Sequence, residues 1–268
     1  MTKLSAYAGR TALVTGAGDG IGKMLAIKLA EAGMIVCVQD IREEAAAAVA
    51  LAIGGGAFSM SFDISDRDAV AAAAKRFGSD HGDLAMLWIN AGVGVGASIL
   101  EGRPDQVRWA YDVNVLGAIW TAQCFVPLLE VHPRHVGITA STAALRTPEG
   151  DFPLYAVTKH GTMAVAEALS GELAAKDIDT TILCPGLLNT EIWDGAKARP
   201  ERFGGERHMD PKIAGMWREA QTPDAMWPDI ERVMAAGGGT LVCATDDGET
   251  RIAMRQRMDA IENGLVEI

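Results

Sequence analysis

A tyrosine and a lysine stand four residues apart, at Tyr155 and Lys159 in the stretch LYAVTKH. Side chains at positions i and i+4 of a helix share one face, with Cβ atoms about 5 to 6 Å apart, so both can enter one pocket. Tyrosine titrates at about pH 10, but a neighbouring ammonium group favours its phenolate. The pair could therefore act as a general acid and base. The spacing alone also allows a surface pair with a solvated lysine.

A glycine-rich turn follows the first apolar run, in TGAGDGIG at residues 15–22. Gly16, Gly20 and Gly22 give the spacing GxxxGxG, and the commoner GxGxxG fits these glycines in no register. Glycines between a strand and a helix bring backbone N–H groups and a helix N-terminus close to a pyrophosphate, although such turns also arise for steric reasons alone. The residues expected to line a dinucleotide site here are Gly16, Gly18, Asp19, Gly20 and Ile21.

An acidic residue, Asp40, ends the second apolar run about 20 residues after the turn. A carboxylate there accepts hydrogen bonds from both ribose hydroxyls of NAD and repels the 2′-phosphate of NADP. Arg42 follows closely and could meet that phosphate, but we expect NAD to be preferred, with Ile41 part of the same site. Asp40 could also cap the helix that begins near Arg42.

From residue 11 onward, short apolar runs alternate with longer helical patterns. This alternation predicts parallel strands joined by crossover helices, and strands that are apolar along most of their length indicate a sheet covered on both faces. The expected strands lie in TALVTG, MIVCVQD, AFSMSFD, LAMLWINAG, HVGITAS and TTILCPG. The expected helices are KMLAIKLAEAG and about 42–53, 67–77, 104–129 and 155–176. No linker composition interrupts them, so we expect one domain over residues 1–268.

The chain has 268 residues, 49% of them hydrophobic, and a formal net charge of -11. This charge would repel nucleic acid and anionic membranes, which favours small molecules as partners. Four widely spaced cysteines without a CxxC pair, and an N-terminus without a secretory pattern, favour a cytoplasmic protein. His132 and His135 flank Pro133 and have no third ligand nearby, so we expect no metal site.

Four motifs in order resemble the short-chain dehydrogenase/reductase family: TGAGDGIG, INAG at 89–92, YAVTK at 155–159 and PGLLNT at 185–190. The resemblance extends over roughly residues 8–192 and is closest to the compact, single-domain branch. It implies an α/β fold, a Rossmann-type doubly wound parallel sheet of about seven strands in the order 3-2-1-4-5-6-7 with helices on both faces. It also implies hydride transfer between a nicotinamide and a secondary alcohol or ketone.

The resemblance extends the expected cofactor site along the chain. It implies that Asp63 contacts the adenine, that Ile64 adds a backbone contact, and that Asn90 begins a turn beside the adenosine ribose. Ala91 and Gly92 complete that turn. The segment after the sixth strand would cover the nicotinamide through Pro185, Gly186, Leu188 and Thr190. Without the other motifs, helix capping, a turn and a Pro-Gly strand exit would account for these residues.

The same resemblance implies a catalytic set of Asn114, Ser141, Tyr155 and Lys159. Tyr155 would exchange the proton, Ser141 would hold the substrate oxygen, and Lys159 would lower the pKa of the tyrosine and bind ribose hydroxyls. Asn114 would hold a water in a proton route, which agrees with the cost of an unpartnered amide in an apolar helix. Ser141 continues the strand pattern and is preferred. Thr142 stays the alternative, because its separation of 13 residues from Tyr155 is the more usual one in the family.

Residues 191–230 follow no repeating pattern, and in the family this segment forms a substrate lid. Large apolar side chains there suggest a hydrophobic or aromatic substrate, although an oligomer contact could use the same residues. They are Trp193, Phe203, Met209, Met216, Trp217, Met226 and Trp227. The C-terminal stretch predicts a last strand and an amphipathic helix. We expect a homodimer through the helices that bear Asn114 and Tyr155, or a homotetramer.

Two alternatives stay open. The chain could bind NAD without catalysis, as a sensor or assembly subunit, although a pure binder does not need the hydroxyls of Ser141 and Tyr155 together. A related fold could also perform a different reaction, such as epimerisation, dehydration or enoyl reduction. The chain is short for the sugar-nucleotide branch, and the spacing of Tyr155 and Lys159 disfavours enoyl reductases.

Overall fold

A computed structural model describes residues 3–146, 152–207, 217–242 and 248–264. Its strands are β1 Thr11–Thr15, β2 Ile35–Gln39, β3 Phe58–Met60, β4 Met86–Ile89, β5 His135–Thr139, β6 Asp179–Cys184 and β7 Gly238–Val242. They form one sheet in the order β3-β2-β1-β4-β5-β6-β7, and every pair is parallel. The expected fold class and strand order are confirmed.

Helices connect the strands on both faces of this sheet. They are α1 Gly20–Glu31, α2 Glu43–Ile53, α3 Arg67–His81, α4 Pro104–Tyr111, α5 Gly117–Phe125, α6 Pro153–Ala174, α7 Trp227–Ala235 and α8 Glu249–Gly264. Their ends follow local signals in the sequence. The carboxylate of Asp66 accepts hydrogen bonds from the backbone N–H groups of Asp68 and Ala69 at the start of α3. A proline occupies the first position of both α4 and α6, where its missing N–H costs nothing.

Two hydrophobic cores lie on opposite faces of the sheet. Leu13 and Leu87 belong to one core, with Phe77 and Phe125 from the helices on that side. The residues that follow those two leucines in β1 and β4 are Val14 and Trp88, and both belong to the other core. Successive strand residues point to opposite faces, so each central strand is buried on both sides.

The helix expected over residues 104–129 is one helical run with a change of geometry in its middle. Asp112–Leu116 forms a π-helical turn between α4 and α5, and a short 3-10 turn ends the run at Leu128. The π turn contains Asn114, whose Oδ1 accepts from the N–H of Val93 at 2.8 Å. Such turns are rare and occur often at functional sites.

Four further expectations concern the length of one strand, the cysteines, membrane-spanning helices and metal ligands. The strand expected in AFSMSFD is shorter, because the carbonyl of Phe62 accepts a hydrogen bond from Gln39 Nε2 at 2.7 Å instead of continuing a strand ladder. Cys37, Cys124 and Cys184 are free thiols, and Cys243 lies outside the described residues. In the described ranges, no helix is both long and apolar enough to span a membrane. The same ranges contain no group of acidic, His and Cys side chains placed to hold a metal ion.

Candidate active site

The glycine-rich turn between β1 and α1 is packed against neighbouring backbone. Gly16 has a φ of 64°, and a Cβ on it would lie 2.8 Å from the Cα of Ala91. A Cβ on Gly22 would lie 2.2 Å from the carbonyl oxygen of Gly16. Gly20 has a φ of 56° and lies against Thr190. Only glycine fits this conformation and these contacts without displacing backbone.

Two side chains from the end of β2 hold the turn in place. Gln39 Oε1 accepts from the N–H of Gly16 at 3.2 Å. Asp40 is 6% exposed, and its Oδ2 accepts from the N–H of Gly18 at 3.0 Å. Its Oδ1 accepts from Arg42 twice, from the backbone N–H at 2.9 Å and from Nε at 3.2 Å. The Asp40 carboxylate therefore accepts from the glycine-rich turn and also from the backbone N–H of Arg42 at the start of α2.

Asn90 connects the turn to three strands. Its Nδ2 donates to the carbonyl of Thr15 at 2.9 Å, and its Oδ1 accepts from Thr139 Oγ1 at 3.0 Å. The backbone N–H groups of Asn90 and Ala91 both donate to Thr15 Oγ1, at 2.9 and 3.1 Å. The INAG turn is thus held rigidly beside the glycine-rich turn.

The segment after β6 crosses over these residues and makes polar contacts with them. Arg202 Nη2 donates to Asp63 Oδ2 at 2.8 Å. The N–H of Glu191 donates to Asp19 Oδ2 at 3.1 Å, and the carboxylate of Glu191 lies 3.5 Å from Arg42 Nη1. Asp63, expected to contact adenine, is therefore paired with an arginine of the segment expected to form the lid.

These residues enclose a cleft of about 190 Å³ that extends from Asp40 to Lys159. The expected cofactor residues that line it are Gly16, Asp19, Gly20, Ile21, Asp40, Ile41, Asp63, Ile64, Asn90, Ala91, Gly92, Tyr155, Lys159, Pro185 and Thr190. Gly18 touches the cleft through its bond to Asp40. Gly186 and Leu188 line a second cavity instead, so the structure does not bring them to the cleft. The glycine cradle and the buried carboxylate at the end of β2 fit a dinucleotide.

Lys159 lies in the cleft with a buried ammonium group. The residue is 3% exposed, and its Nζ donates to the carbonyl of Thr139 at 3.2 Å. Burial lowers the pKa of Lys159 to about 8. A Cβ on Gly92 would lie 3.2 Å from this Nζ, so glycine leaves room for the ammonium group. The same Nζ lies 5.9 Å from the centroid of the Tyr155 ring, which places both side chains in one site.

Tyr155 lies where the cleft and the second cavity meet. Burial raises the pKa of Tyr155 to about 12, and a hydrogen bond with the side chain of Ser141 opposes this rise. The tyrosine pKa therefore lies above its ordinary value, and burial is the largest cause of the pKa shift of both side chains. The expected lowering of the tyrosine pKa by Lys159 stays a prediction.

The preferred serine contacts the tyrosine. Ser141 is 7% exposed, its hydroxyl bonds to Tyr155, and its Oγ accepts from the N–H of Ala143 at 3.1 Å. Thr142 also lines the second cavity, but its N–H donates to the carbonyl of Pro185 at 2.9 Å and no described bond joins its hydroxyl to Tyr155. The geometry favours Ser141 over the alternative.

Asn114 joins the π turn to helix α6 rather than touching the tyrosine side chain. Its Nδ2 donates to the carbonyl of Val93 at 3.0 Å and to Thr158 Oγ1 at 2.9 Å. Thr158 Oγ1 in turn donates to the backbone carbonyl of Tyr155 at 2.8 Å. The carbonyl of Asn114 accepts from Thr162 Oγ1 at 2.8 Å. Its expected role in a water-bridged proton route stays a prediction.

The second cavity has a volume of about 660 Å³ and lies beside the cleft. Ser141 and Tyr155 lie on one side, and Trp217 and α8 contribute to its lining. The residues that line both spaces are Ile21, Tyr155, Pro185, Thr190 and Ile192. This volume is within the range of about 300 to 1,000 Å³ that small-molecule sites occupy.

Three apolar residues of the expected lid pack into the cores instead of lining this cavity. Phe203 and Met226 are buried in the two cores, and Trp227 packs against one of them. Met209, Met216 and the side chain of Trp193 lie outside the described part of the chain. Among the apolar residues expected to indicate the substrate, Trp217 is thus the one that the described structure places at the cavity.

Sequence reasoning did not single out five polar residues of the site. Gln39 and Thr158 position the glycine-rich turn and Tyr155, and a polar residue in an otherwise apolar strand or helix is a usable signal for both. Thr139 accepts the bond from Lys159 through its backbone, which sequence cannot indicate. Arg146 and Arg257 line the second cavity from segments more than a hundred residues apart, and neither lies in a motif.

Comparisons with known proteins agree with this geometry. A family model described as short chain dehydrogenase matches residues 10–201. Estradiol 17-beta-dehydrogenase 11 of Mus musculus is 31% identical over 194 residues, which are 70% of this chain and 65% of that protein. The chain thus spans just under two thirds of that relative. The 1-deoxy-11-beta-hydroxypentalenate dehydrogenase of Streptomyces exfoliatus is 33% identical over 226 residues, 81% of this chain and 82% of that protein.

Solved structures show the same architecture. A short chain dehydrogenase/reductase from Burkholderia phymatum in complex with NAD has a TM-score of 0.86 at 24% identity, covering 98% of this chain and 99% of that one. A putative short-chain dehydrogenase from Novosphingobium aromaticivorans has a TM-score of 0.77 at 26% identity, covering 98% and 89%. The first likeness shows the fold alone at that identity.

Proposed function

Because the chain belongs to the short-chain dehydrogenase/reductase family, we propose that it interconverts a secondary alcohol and a ketone with a nicotinamide dinucleotide. The observation that carries this proposal is the position of Tyr155, which is hydrogen-bonded to Ser141. It lies between a cleft whose lining residues suit a dinucleotide and a cavity that suits a small molecule. When bound, the nicotinamide supplies the hydride donor or acceptor, which side chains do not provide. The named relatives from mouse and Streptomyces are dehydrogenases as well.

Tyr155 exchanges the proton. With a pKa of about 12, its phenol is protonated at neutral pH and is ready to donate to a carbonyl oxygen during reduction. The Ser141 hydroxyl beside it holds that oxygen and stabilises the negative charge that develops there. In the oxidative direction Tyr155 must first give up its proton, and the bond from Ser141 lowers the cost of the phenolate.

Lys159 and Asn114 support the tyrosine in different ways. The Lys159 ammonium group, at the cleft side of Tyr155, would donate to ribose hydroxyls, and its positive charge favours the phenolate that forms when Tyr155 gives up its proton. Asn114 is a positioning residue, since it acts on Tyr155 through Thr158 and the backbone of α6. The residues that would hold the rest of the dinucleotide are those of the glycine-rich turn, Asp40, the INAG turn, Pro185 and Thr190.

NAD is the preferred cofactor in this proposal. Asp40 is buried at the end of β2 and places a carboxylate where the adenosine ribose binds in this fold, so it would accept from ribose hydroxyls and repel a 2′-phosphate. Arg42, a nearby cation that could meet such a phosphate, is paired with Asp40 and Glu191. Its charge is therefore already compensated.

The cleft opens to admit the dinucleotide. Its volume of about 190 Å³ is below the common range for ligand sites because residues 191–198 lie along it. Arg202 holds Asp63, the residue proposed to contact adenine. Binding therefore replaces the ion pair between Arg202 and Asp63 with a contact to the ligand.

The substrate is an apolar molecule with a hydroxyl or keto group. The cavity lining includes Phe152, Leu187, Leu188 and Ile192, which favour such a body. The names of the two relatives from mouse and Streptomyces, an estradiol and a hydroxypentalenate dehydrogenase, point to substrates that bear a hydroxyl group. Residues 1–268 form one domain in this proposal, and it acts as a homodimer or homotetramer through α4 to α6. Exposed Val107 and Val157 on those helices support an interface.

The Tyr155→Phe substitution tests the mechanism. Loss of the phenolic proton should lower kcat for any accepted alcohol by about 10²- to 10⁴-fold, the usual contribution of a positioned acid or base. Reduction of NAD is followed by absorbance over a panel of secondary alcohols, and NAD affinity is measured by calorimetry.

Tyr111→Phe, at an exposed tyrosine of α4, is the matched control and should keep the wild-type rate. A Tyr155→Phe enzyme within a few-fold of the wild type would disprove the assigned role of Tyr155. Tight NAD binding without turnover of any alcohol or ketone would instead indicate a binding protein.

A further inference from the structure

The described lining of the second cavity carries charge of one sign only. Among the described residues that line it, the charged side chains are Arg146 and Arg257, and no aspartate or glutamate is present. The chain as a whole has 35 acidic and 24 basic residues. An acidic protein that places two arginines and no acid in one cavity has a local potential opposite to its net charge.

Each arginine is positioned by a neutral partner. Arg146 Nε donates to Thr250 Oγ1 at 3.0 Å, and Thr250 is buried at the start of α8. Arg257 Nη1 lies 2.7 Å from His160 Nε2, and His160 Nδ1 lies 2.8 Å from the carbonyl of Ala156. The carbonyl can only accept, so Nδ1 carries the proton and Nε2 accepts from Arg257. These bonds orient both guanidinium groups without neutralising them.

The two arginines differ in this respect from those around the cleft. Arg42, Arg199 and Arg202 all form ion pairs with carboxylates at 3.5 Å or less. Within the described ranges, neither Arg146 nor Arg257 forms an ion pair. Each of their guanidinium groups retains N–H donors, and a partly buried cation without a counterion is stabilised by an anionic ligand.

We propose that the substrate is an apolar ketone or secondary alcohol that bears a carboxylate, and that Arg146 and Arg257 bind this carboxylate. The planar guanidinium groups match a carboxylate better than an ammonium group would, because each can donate two parallel hydrogen bonds. Gln256 and the indole N–H of Trp217, which has no acceptor among the described residues, add neutral donors to the same cavity. This inference rests on the proposed function, since it names the substrate class of the same site.

Matched pairs of acids and esters test the proposal. The probes are 4-oxopentanoate, 7-oxooctanoate and 10-oxoundecanoate, each beside its methyl ester, because their lengths sample the cavity while the keto group stays constant. Binding is measured by calorimetry to the protein saturated with NADH, and reduction is followed by NADH absorbance. The variants are Arg146→Gln, Arg257→Gln and Arg257→Lys, with Arg251→Gln as the control for an equal charge change on α8.

At least one acid should bind about tenfold or more tightly than its ester, since hydrogen bonds to charged groups contribute more than neutral ones. Arg146→Gln and Arg257→Gln should each remove most of that preference and leave ester binding within a few-fold of the wild type. Arg257→Lys should retain part of the preference through its charge. Arg251→Gln should behave as the wild type, because Arg251 is exposed and does not line the cavity.

Equal binding of every acid and its ester to the wild type would overturn the carboxylate site. Loss of ester and acid binding to the same extent in both glutamine variants would also overturn it, because the arginines would then have only a structural role. Reduction of the esters alone would leave the proposed oxidoreductase function intact while the carboxylate site fails. Preferential binding of acids without reduction of any probe would support the site and count against the oxidoreductase function.

Discussion

The cleft and the second cavity meet at Tyr155 but differ in how their charges are compensated. Both signs line the cleft, and several of its charges pair within the chain, as in the contacts of Arg42 with Asp40 and Glu191 and of Arg202 with Asp63. The described lining of the cavity has two arginines without ion pairs. The acidic side chains of the cleft are Asp19, Asp40, Asp63, Glu191 and Asp194.

This difference indicates two kinds of site. A cleft whose charges already pair with one another must exchange internal contacts for contacts to its ligand, so its affinity is a difference between two sets of interactions. A cavity with uncompensated charge gains interactions on binding without breaking an ion pair. The cleft therefore suits a cofactor that enters and leaves, and the cavity suits selection among substrates by charge.

The largest effect is expected at Lys159, the cleft cation without a carboxylate partner among the described contacts. Its pKa falls from 10.5 to about 8 on burial, so the unfolded chain binds this proton more tightly than the folded chain. The associated stability is present above pH 10.5 and is lost as pH falls through about 8. Below pH 8, Lys159→Met should therefore raise the free energy of unfolding by an amount on the order of 3 kcal/mol.

Denaturant unfolding between pH 6.5 and 10 checks this in the protein without cofactor, and the advantage of the variant should shrink as pH rises above about 8. Lys23→Met, at an exposed position of α1, is the control and should show no such trend. A Lys159→Met variant less stable than the wild type at every pH would show that the bond from Nζ to Thr139 outweighs the burial cost.

An intermediate effect is expected at Asp40, the buried carboxylate that accepts from the glycine-rich turn. Asp40→Asn keeps an oxygen for the N–H of Gly18 but removes the charge, so NAD affinity should fall by about tenfold and discrimination against NADP should relax. Affinities for both dinucleotides are measured by calorimetry.

Asp80→Asn, on the exposed surface of α3, is the matched control. An unchanged ratio of NAD to NADP affinity would show that a residue other than Asp40 distinguishes the ribose of NAD from the 2′-phosphate of NADP.

The smallest effect is expected at Arg202, the exposed partner of Asp63. Arg202→Ala removes an ion pair that the dinucleotide must displace, so NAD should bind up to about fivefold more tightly, as the size of surface ion pairs allows. Arg232→Ala, in a surface ion pair of α7 with Asp229, is the control. Weaker NAD binding in the Arg202→Ala variant would mean that Arg202 contacts the dinucleotide and that the cleft does not open by breaking this pair.

The comparison also explains what the sequence could predict. The cleft is built from short motifs at the ends of β1, β2 and β4, where glycine, carboxylate and amide are required locally. Alternation predicted the parallel strands, and the family resemblance implied their order. The π turn at Asn114 could not be predicted, because it depends on a bond to Val93 from a different segment. Arg146 and Arg257 come together only through the packing of α8 against the segment after β5, which no local pattern indicates.

The pKa of Tyr155 differs most clearly from what its sequence motif indicated. The spacing to Lys159 indicated a tyrosine with a lowered pKa, whereas burial raises it to about 12. Side-chain spacing is visible in a sequence, but the loss of water around a phenol depends on everything packed against it. The sequence was sufficient to identify Tyr155 and Lys159, but not to predict their protonation states.

Transfer of deuterium tests the central claim most directly. NADH that carries deuterium on the reactive carbon of its nicotinamide is incubated with the protein and the ketone probes, and the alcohol products are analysed by mass spectrometry. The account predicts one deuterium on the carbinol carbon of the product, formed by the wild type and lost with Tyr155→Phe. Tight binding of NADH with no deuterium in any product would contradict it.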